Sequence, residues 1–195
     1  MAGIRQFDEA QALDSALEIF WRKGFGATSM QDLAQATGVL RGSLYNAYGD
    51  KETIFLKVFE RYRAWFAEAG EAALDKPSAE RALRDFFDFT IKSMTEGMPP
   101  RGCLTTKTAT DETAGADVIR EALRGLLDDL QHRVEKRLSM PEARDRLAIP
   151  PADAAKLVVA MTRGIVVVER VYQDPARLKA LAASLIKLLL PKPAR

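Results

Sequence analysis

Two reactive side chains occur once each: His132 is the only histidine and Cys103 the only cysteine in 195 residues. That count excludes a clustered His/Cys metal site. A Ser-His-Asp or Cys-His arrangement would have to recruit His132 from the middle of a charged helical stretch, where it reads as a solvated helix residue. Without a phosphate loop, a carboxylate-histidine set or a nucleophile motif, no catalytic residue, metal or cofactor is expected, and the chain does not read as an enzyme. Cys103 lies in RGCLTTKT between Arg101 and Lys107, after a loop and near a helix start. Such a setting lowers a thiol pKa and would suit a sensor of electrophiles or oxidants, although a buried, inert or ligand-lining cysteine is the commoner case.

The other concentration of usable chemistry is the segment TSMQDLAQATGVLRGSLYNAYGDKETI, from Thr28 to Ile54. Thr28 and Ser29 are placed to cap a short helix, Gly38 closes it, and a second short helix runs from about Leu40 to Ala47. This is the grammar of a helix-turn-helix. Val39 and Leu44 would pack back on Leu13, Leu17 and Leu33. Arg41, Ser43, Tyr45 and Asn46 are then left facing outward, side chains suited to base edges and phosphates.

These residues must be positioned by helices, since strand signals are nearly absent while apolar residues recur at three- and four-residue spacing. The fold class is therefore all-α, with about nine helices. A first helix spans 8–23, and Asp50 caps a long one reaching about Leu74. Ser78 starts another that ends before the paired prolines of EGMPPRG, and a short segment covers about Leu104 to Thr110. Residues 116–138 carry the most regular apolar stripe. A helix opening at Pro150-Pro151 is apolar on nearly all sides, and an amphipathic one covers 176–190. The domain reading is 1–52 for the DNA-binding unit and 53–195 for the remainder.

The motif GVLRGSLYNAYGDKETI resembles the pattern G-V-x-x-G-x-[LI]-Y-x-[YH]-[FY]-x-x-K-x-x-[LI] of the tetracycline-repressor (TetR) family. Gly38, Val39, Gly42, Leu44, Tyr45, Tyr48, Lys51 and Ile54 match it. Ala47 departs from the pattern where the family often has an aromatic ring, and Leu40 is less polar than usual. The resemblance implies that Arg41, Ser43, Tyr45 and Asn46 face the major groove, with Gly42 among them, while Thr28, Tyr48 and Lys51 hold phosphates. It further implies double-stranded operator DNA and a homodimer as partners, and a small-molecule effector among the later helices. Repression relieved by that effector is the family default.

Beyond about Phe55 the resemblance is one of helix number and order. The expected effector-binding residues are Tyr62, Trp65, Phe66, Phe86, Phe89, Met94 and Cys103, although rings at helical spacing are more often core. The G-C-L at Cys103 resembles the start of the sixth helix in one broad subgroup, some of whose members respond to reactive compounds. A thiol-based sensor on the same scaffold is thus the alternative reading. Val159, Thr162, Arg163, Val166 and Arg170 are the candidate dimer residues on the all-round apolar helix, which with the last helix would build a four-helix bundle between copies.

Charge and hydropathy bound the partners. Residues 1–60 hold six Lys/Arg against eight Asp/Glu, a net of −2, so a compact footprint and modest non-specific DNA affinity are expected. LVVAMT and GIVVVE are interrupted by Arg163, Glu169 and Arg170 well short of the roughly 20 residues of a membrane span, and the first residues lack the pattern of a signal peptide. A cytoplasmic protein with no membrane partner is the expectation.

Overall fold

The computed structural model describes residues 7–97, 100–111 and 117–191, and among these it contains ten helices and no strand. They are α1 Glu9–Lys23, α2 Met30–Thr37, α3 Arg41–Tyr48, α4 Lys51–Leu74, α5 Ala79–Thr95, α6 Leu104–Ala109, α7 Asp117–Leu138, α8 Pro141–Arg144, α9 Pro151–Tyr172 and α10 Pro175–Leu189. The chain gathers into two compact units, one from 1–64 and 103–124, the other from 65–102 and 125–195. The expected boundary after residue 52 thus differs from this division, in which the first unit also takes the opening turns of α4 together with α6.

In the first unit, local signals fix the helix starts. The Asp8 carboxylate accepts from the Gln11 amide at 3.1 Å to open α1. At α2 the Ser29 hydroxyl accepts from Asp32 N while the Asp32 carboxylate accepts from Ser29 N, a reciprocal capping box. Asp50 accepts from Thr53 N at 2.7 Å and so begins α4. Gly38 closes α2 at φ 69, ψ 10, a left-handed conformation in which a Cβ is strained even where there is room for it. The core is aromatic: the Phe55 ring sits edge-on to Phe20 at 5.2 Å and to Phe25 at 5.1 Å, and Trp21 meets Tyr62 at 5.1 Å. Each such buried ring contributes about 1.5–3 kcal/mol from burial alone.

In the second unit α5 packs on α9 and α10. The inward faces supply Leu83, Phe86, Phe87 and Ile91 from α5, Val158 and Ile165 from α9, and Leu178 and Ile186 from α10, all buried. Arg137 is a buried cation of α7 that donates to Lys76 O at 3.0 Å and to the Glu142 carboxylate of α8 at 2.7 Å. That bond ties down the four-residue α8, which the sequence reading did not anticipate.

Candidate nucleic-acid interface

The α2–α3 pair is built from a buried side and an exposed side. Leu33, Val39, Leu44 and Tyr48 are buried, fixing α3 against its own unit. On the opposite side Leu40 is 79% and Tyr45 40% exposed, and Arg41, Gly42 and Asn46 are also exposed, with Ser43 half-buried. The Arg41 guanidinium lies 5.5 Å from the centre of the Tyr45 ring and donates weakly to its hydroxyl at 3.4 Å. An arginine stacked in this way presents its outer N–H fork in a restricted orientation, as bidentate contact with guanine or phosphate requires.

The three residues expected to hold phosphates are placed differently. Thr28 is buried and its hydroxyl donates to Gly24 O at 2.6 Å. Tyr48 is buried and its hydroxyl donates to the Glu9 carboxylate at 3.4 Å. The Lys51 ammonium donates to Phe25 O at 2.8 Å and lies 4.2 Å from the Phe25 ring centre. Burial pushes the Lys51 ammonium below its ordinary pKa, an effect opposed by the negative charge of Asp111. In this conformation Thr28 and Lys51 organise the turn before α2 and Tyr48 ties the end of α3 to the first turn of α1, so the three hold α3 in place rather than extend its exposed face.

Two further groups that the sequence did not reveal converge on the same turn. Lys107 of α6 donates to Trp21 O at 2.6 Å and Arg22 O at 3.1 Å, capping the carbonyl end of α1 where a cation is favoured. Asp111 accepts from the Gly26 amide. Sequence separations of 85 and 86 residues leave no local signal for these contacts. At the start of α2, Asp32 is held well below the usual carboxylate range, first by its hydrogen bond from Lys23 at 2.6 Å and then by the amide and hydroxyl of Ser29.

Of the expected effector residues, Tyr62 and Cys103 fall in the first unit, both buried. Cys103 is 6% exposed at the N-cap of α6. In the second unit Phe66, Phe86 and Met94 are buried, Phe89 is half-buried and Trp65 is 44% exposed. Trp65, Phe66 and Phe89 form one ring cluster, with Phe66 and Phe89 at 4.9 Å. The largest cavity described in that unit, about 700 Å³, lies elsewhere, between α5 and α10 beside Arg84, Phe87, Ala182 and Ile186. On α9, Val159, Thr162 and Val166 face the core of their own unit, whereas Arg163 is half-exposed and Arg170 exposed. The outward apolar row instead contains Leu157, Val167 and Val171, with Leu188 exposed on α10.

Comparison with known proteins places these elements in a family. The description "Bacterial regulatory proteins, tetR family" matches residues 12–58, and "Tetracyclin repressor-like, C-terminal domain" matches 79–185. The HTH-type transcriptional repressor ComR of Escherichia coli (strain K12) is 33% identical over 147 residues, covering 74% of this chain and 69% of ComR. The TetR family transcriptional regulator CifR was solved as a cysteine mutant complexed with 26-base-pair double-strand operator DNA. It superposes with a TM-score of 0.84 at 25% identity, covering 96% of this chain and all of that one. The reduced form of E. coli NemR has the same fold, with a TM-score of 0.84 at 16% identity over 95% of this chain and 98% of that one. With both halves matched and the helix-turn-helix intact, the chain belongs to the TetR family of bacterial regulatory proteins.

Proposed function

We propose that this protein is a dimeric, cytoplasmic transcriptional repressor, without enzymatic activity, that leaves a palindromic operator when a small effector binds the second unit. The observation that carries the reading is the division of α3. Its apolar side chains are buried, while Arg41, Tyr45 and Asn46 stand exposed on a helix held by capped neighbours. Arg41 and Asn46 supply forked donor and acceptor chemistry for guanine and adenine edges, and the exposed Leu40 suits a thymine methyl group. Gly42 is an exposed helical position where an added Cβ would meet nothing within 4 Å. Its room serves the approach of a DNA backbone.

CifR, the neighbour seen on operator DNA, supports the same use of the first unit here. Dimerisation is supported by the outward apolar residues Leu157, Val167 and Val171 of α9 and Leu188 of α10, which a lone soluble chain would leave in water. A two-fold pair spaces two α3 helices for half-sites about one DNA turn apart. The effector reading rests on the second family match and on the Trp65, Phe66 and Phe89 ring cluster. Cys103 reads as a structural residue of the first unit, because 6% exposure restricts the access that a reactive thiol requires.

The test compares the wild type with an Arg41→Ala/Asn46→Ala variant on the DNA upstream of the chain's own gene, after circular dichroism has shown equal helicity. The reading expects saturable binding by the wild type, two chains per site, and a loss of at least a hundredfold in the variant, from about 1–3 kcal/mol per base contact. Equal binding by both proteins would remove α3 as the reading element.

A further inference from the structure

The turn from Gly24 to Ser29 carries α1 into α2, and side chains remote in sequence hold its backbone. From α4, Lys51 donates to Phe25 O at 2.8 Å. The other two holds come from α6 and the residue just beyond it. Asp111 accepts from Gly26 N, and Lys107 donates to Trp21 O at 2.6 Å and to Arg22 O at 3.1 Å, so that the last carbonyls of α1 and the following turn are gripped together. Lys107 and Asp111 belong to the same compact unit as the turn they hold.

Asp111 stands where a carboxylate is otherwise unfavourable. It follows the carbonyl end of α6, which disfavours negative charge, in a unit that must approach a polyanion. The Gly26 amide gives the carboxylate a use at that position. What the grip controls follows from how closely α2 and α3 are joined. Only Gly38, Val39 and Leu40 separate them, and the Thr37 hydroxyl donates to Leu33 O at 2.8 Å while accepting from Val39 N at 3.2 Å. The two helices therefore move as a pair, and α2 packs on α1. The orientation of the pair is set where α2 begins, and a close-packed interior transmits a displacement there rather than absorbing it.

We propose that Lys107 and Asp111 are positioning residues for operator recognition, which touch no DNA themselves and set the angle at which α3 is presented. The inference rests on the reading of α3 as the operator-binding element. Its test titrates full-length Asp111→Ala and Lys107→Met, shown by circular dichroism to be as helical as the wild type, against a labelled duplex. The duplex carries the site that the wild type selects from a random pool, and the titration is repeated at several salt concentrations. For Asp111 the sign decides. Removing a negative charge should tighten DNA binding if charge alone mattered, whereas losing the grip on Gly26 should weaken it at least about tenfold, the equivalent of one base contact. Lys107→Met should weaken binding by a similar factor. In neither variant should the salt dependence become shallower, since no phosphate contact is removed. Asp111→Asn keeps an acceptor oxygen for Gly26 N and Lys107→Arg keeps a cationic donor, so both should stay within about threefold of the wild type.

Unchanged or tighter binding by folded Asp111→Ala would overturn the proposal. So would a lowered melting temperature with operator affinity intact, the mark of a purely structural clamp. A salt slope reduced by about one in Lys107→Met would make that residue a phosphate contact and overturn its positioning role. Lys107→Met and its arginine counterpart decide the matter should Asp111→Ala fail to fold. Wild type and variants binding the selected site equally well would reject the positioning role alone, whereas a folded wild type that selects no site rejects the operator reading on which it rests.

Discussion

Replacing Gly42 by alanine separates the cost of a binding surface from its use. Gly42 is the second residue of α3, is exposed and helical, and has no atom within 4 Å of where a Cβ would stand. Alanine is favoured over glycine in a helix by about 0.8–1 kcal/mol, somewhat less near an end, so the free protein should gain about 0.5–1 kcal/mol. For a chain of this size that is a rise of about 1–4 °C in melting temperature. The methyl group would stand beside Arg41 and Asn46, where a phosphate or base edge must come close. Losing one such contact costs about 1–3 kcal/mol, so operator affinity should fall at least about tenfold, equivalent to 1.4 kcal/mol. Denaturant melts measure the first effect, and fluorescence anisotropy on labelled operator at fixed salt measures the second. A variant that is both more stable and equally tight on DNA would refute the argument that this space belongs to a partner.

Other expectations follow from the same geometry. Asn46→Ala should relax discrimination at one operator position by about 1–3 kcal/mol while leaving affinity for random DNA nearly unchanged, as measured by competition with single-base variants. Lys51→Ala strips a donor from Phe25 O, so it should destabilise the first unit by about 1–2 kcal/mol, read from urea melts. Removing the Ser29 hydroxyl in Ser29→Ala should cost about 1 kcal/mol through loss of the α2 cap, by the same measurement. Asp32 and Asp50 both titrate lower in the fold than in the unfolded chain, Asp32 chiefly through Lys23 and Asp50 through Thr53. Each then binds fewer protons when folded, so its contribution is complete above the unfolded value of about 3.9 and is lost as pH falls towards the folded one. Urea melts below pH 4 should show a shallower acid loss in Asp32→Asn than in the wild type.

Legibility in the sequence followed the range of the interactions. Ser29, Asp50 and Ser78 act on amides three residues away, and at each the helix starts where the cap predicts. The outward set on α3 could be read because its packing residues Val39 and Leu44 alternate with it at helical spacing. Tyr48 and Lys51 match the family pattern, with Thr28 expected to act beside them, but their satisfaction by Glu9, Phe25 O and Gly24 O depends on how the chain before them folds. Spacing carries no trace of that. A helix apolar on all sides conceals its orientation, which is why Val159, Thr162 and Val166 could be taken for an interface although they face their own core. Lys107 and Asp111 reach a turn more than eighty residues away, and the division of the chain into units follows such contacts.

The most direct test of sequence-specific operator recognition is selection of bound duplexes from a random DNA pool by the purified, reduced, ligand-free protein, with the winning site then titrated at two salt concentrations. The account predicts a palindromic consensus with half-sites about one helical turn apart, and an affinity that falls as salt rises because cations meet phosphates. Failure of a folded protein to enrich any sequence, or enrichment of a site without two-fold symmetry, would contradict it.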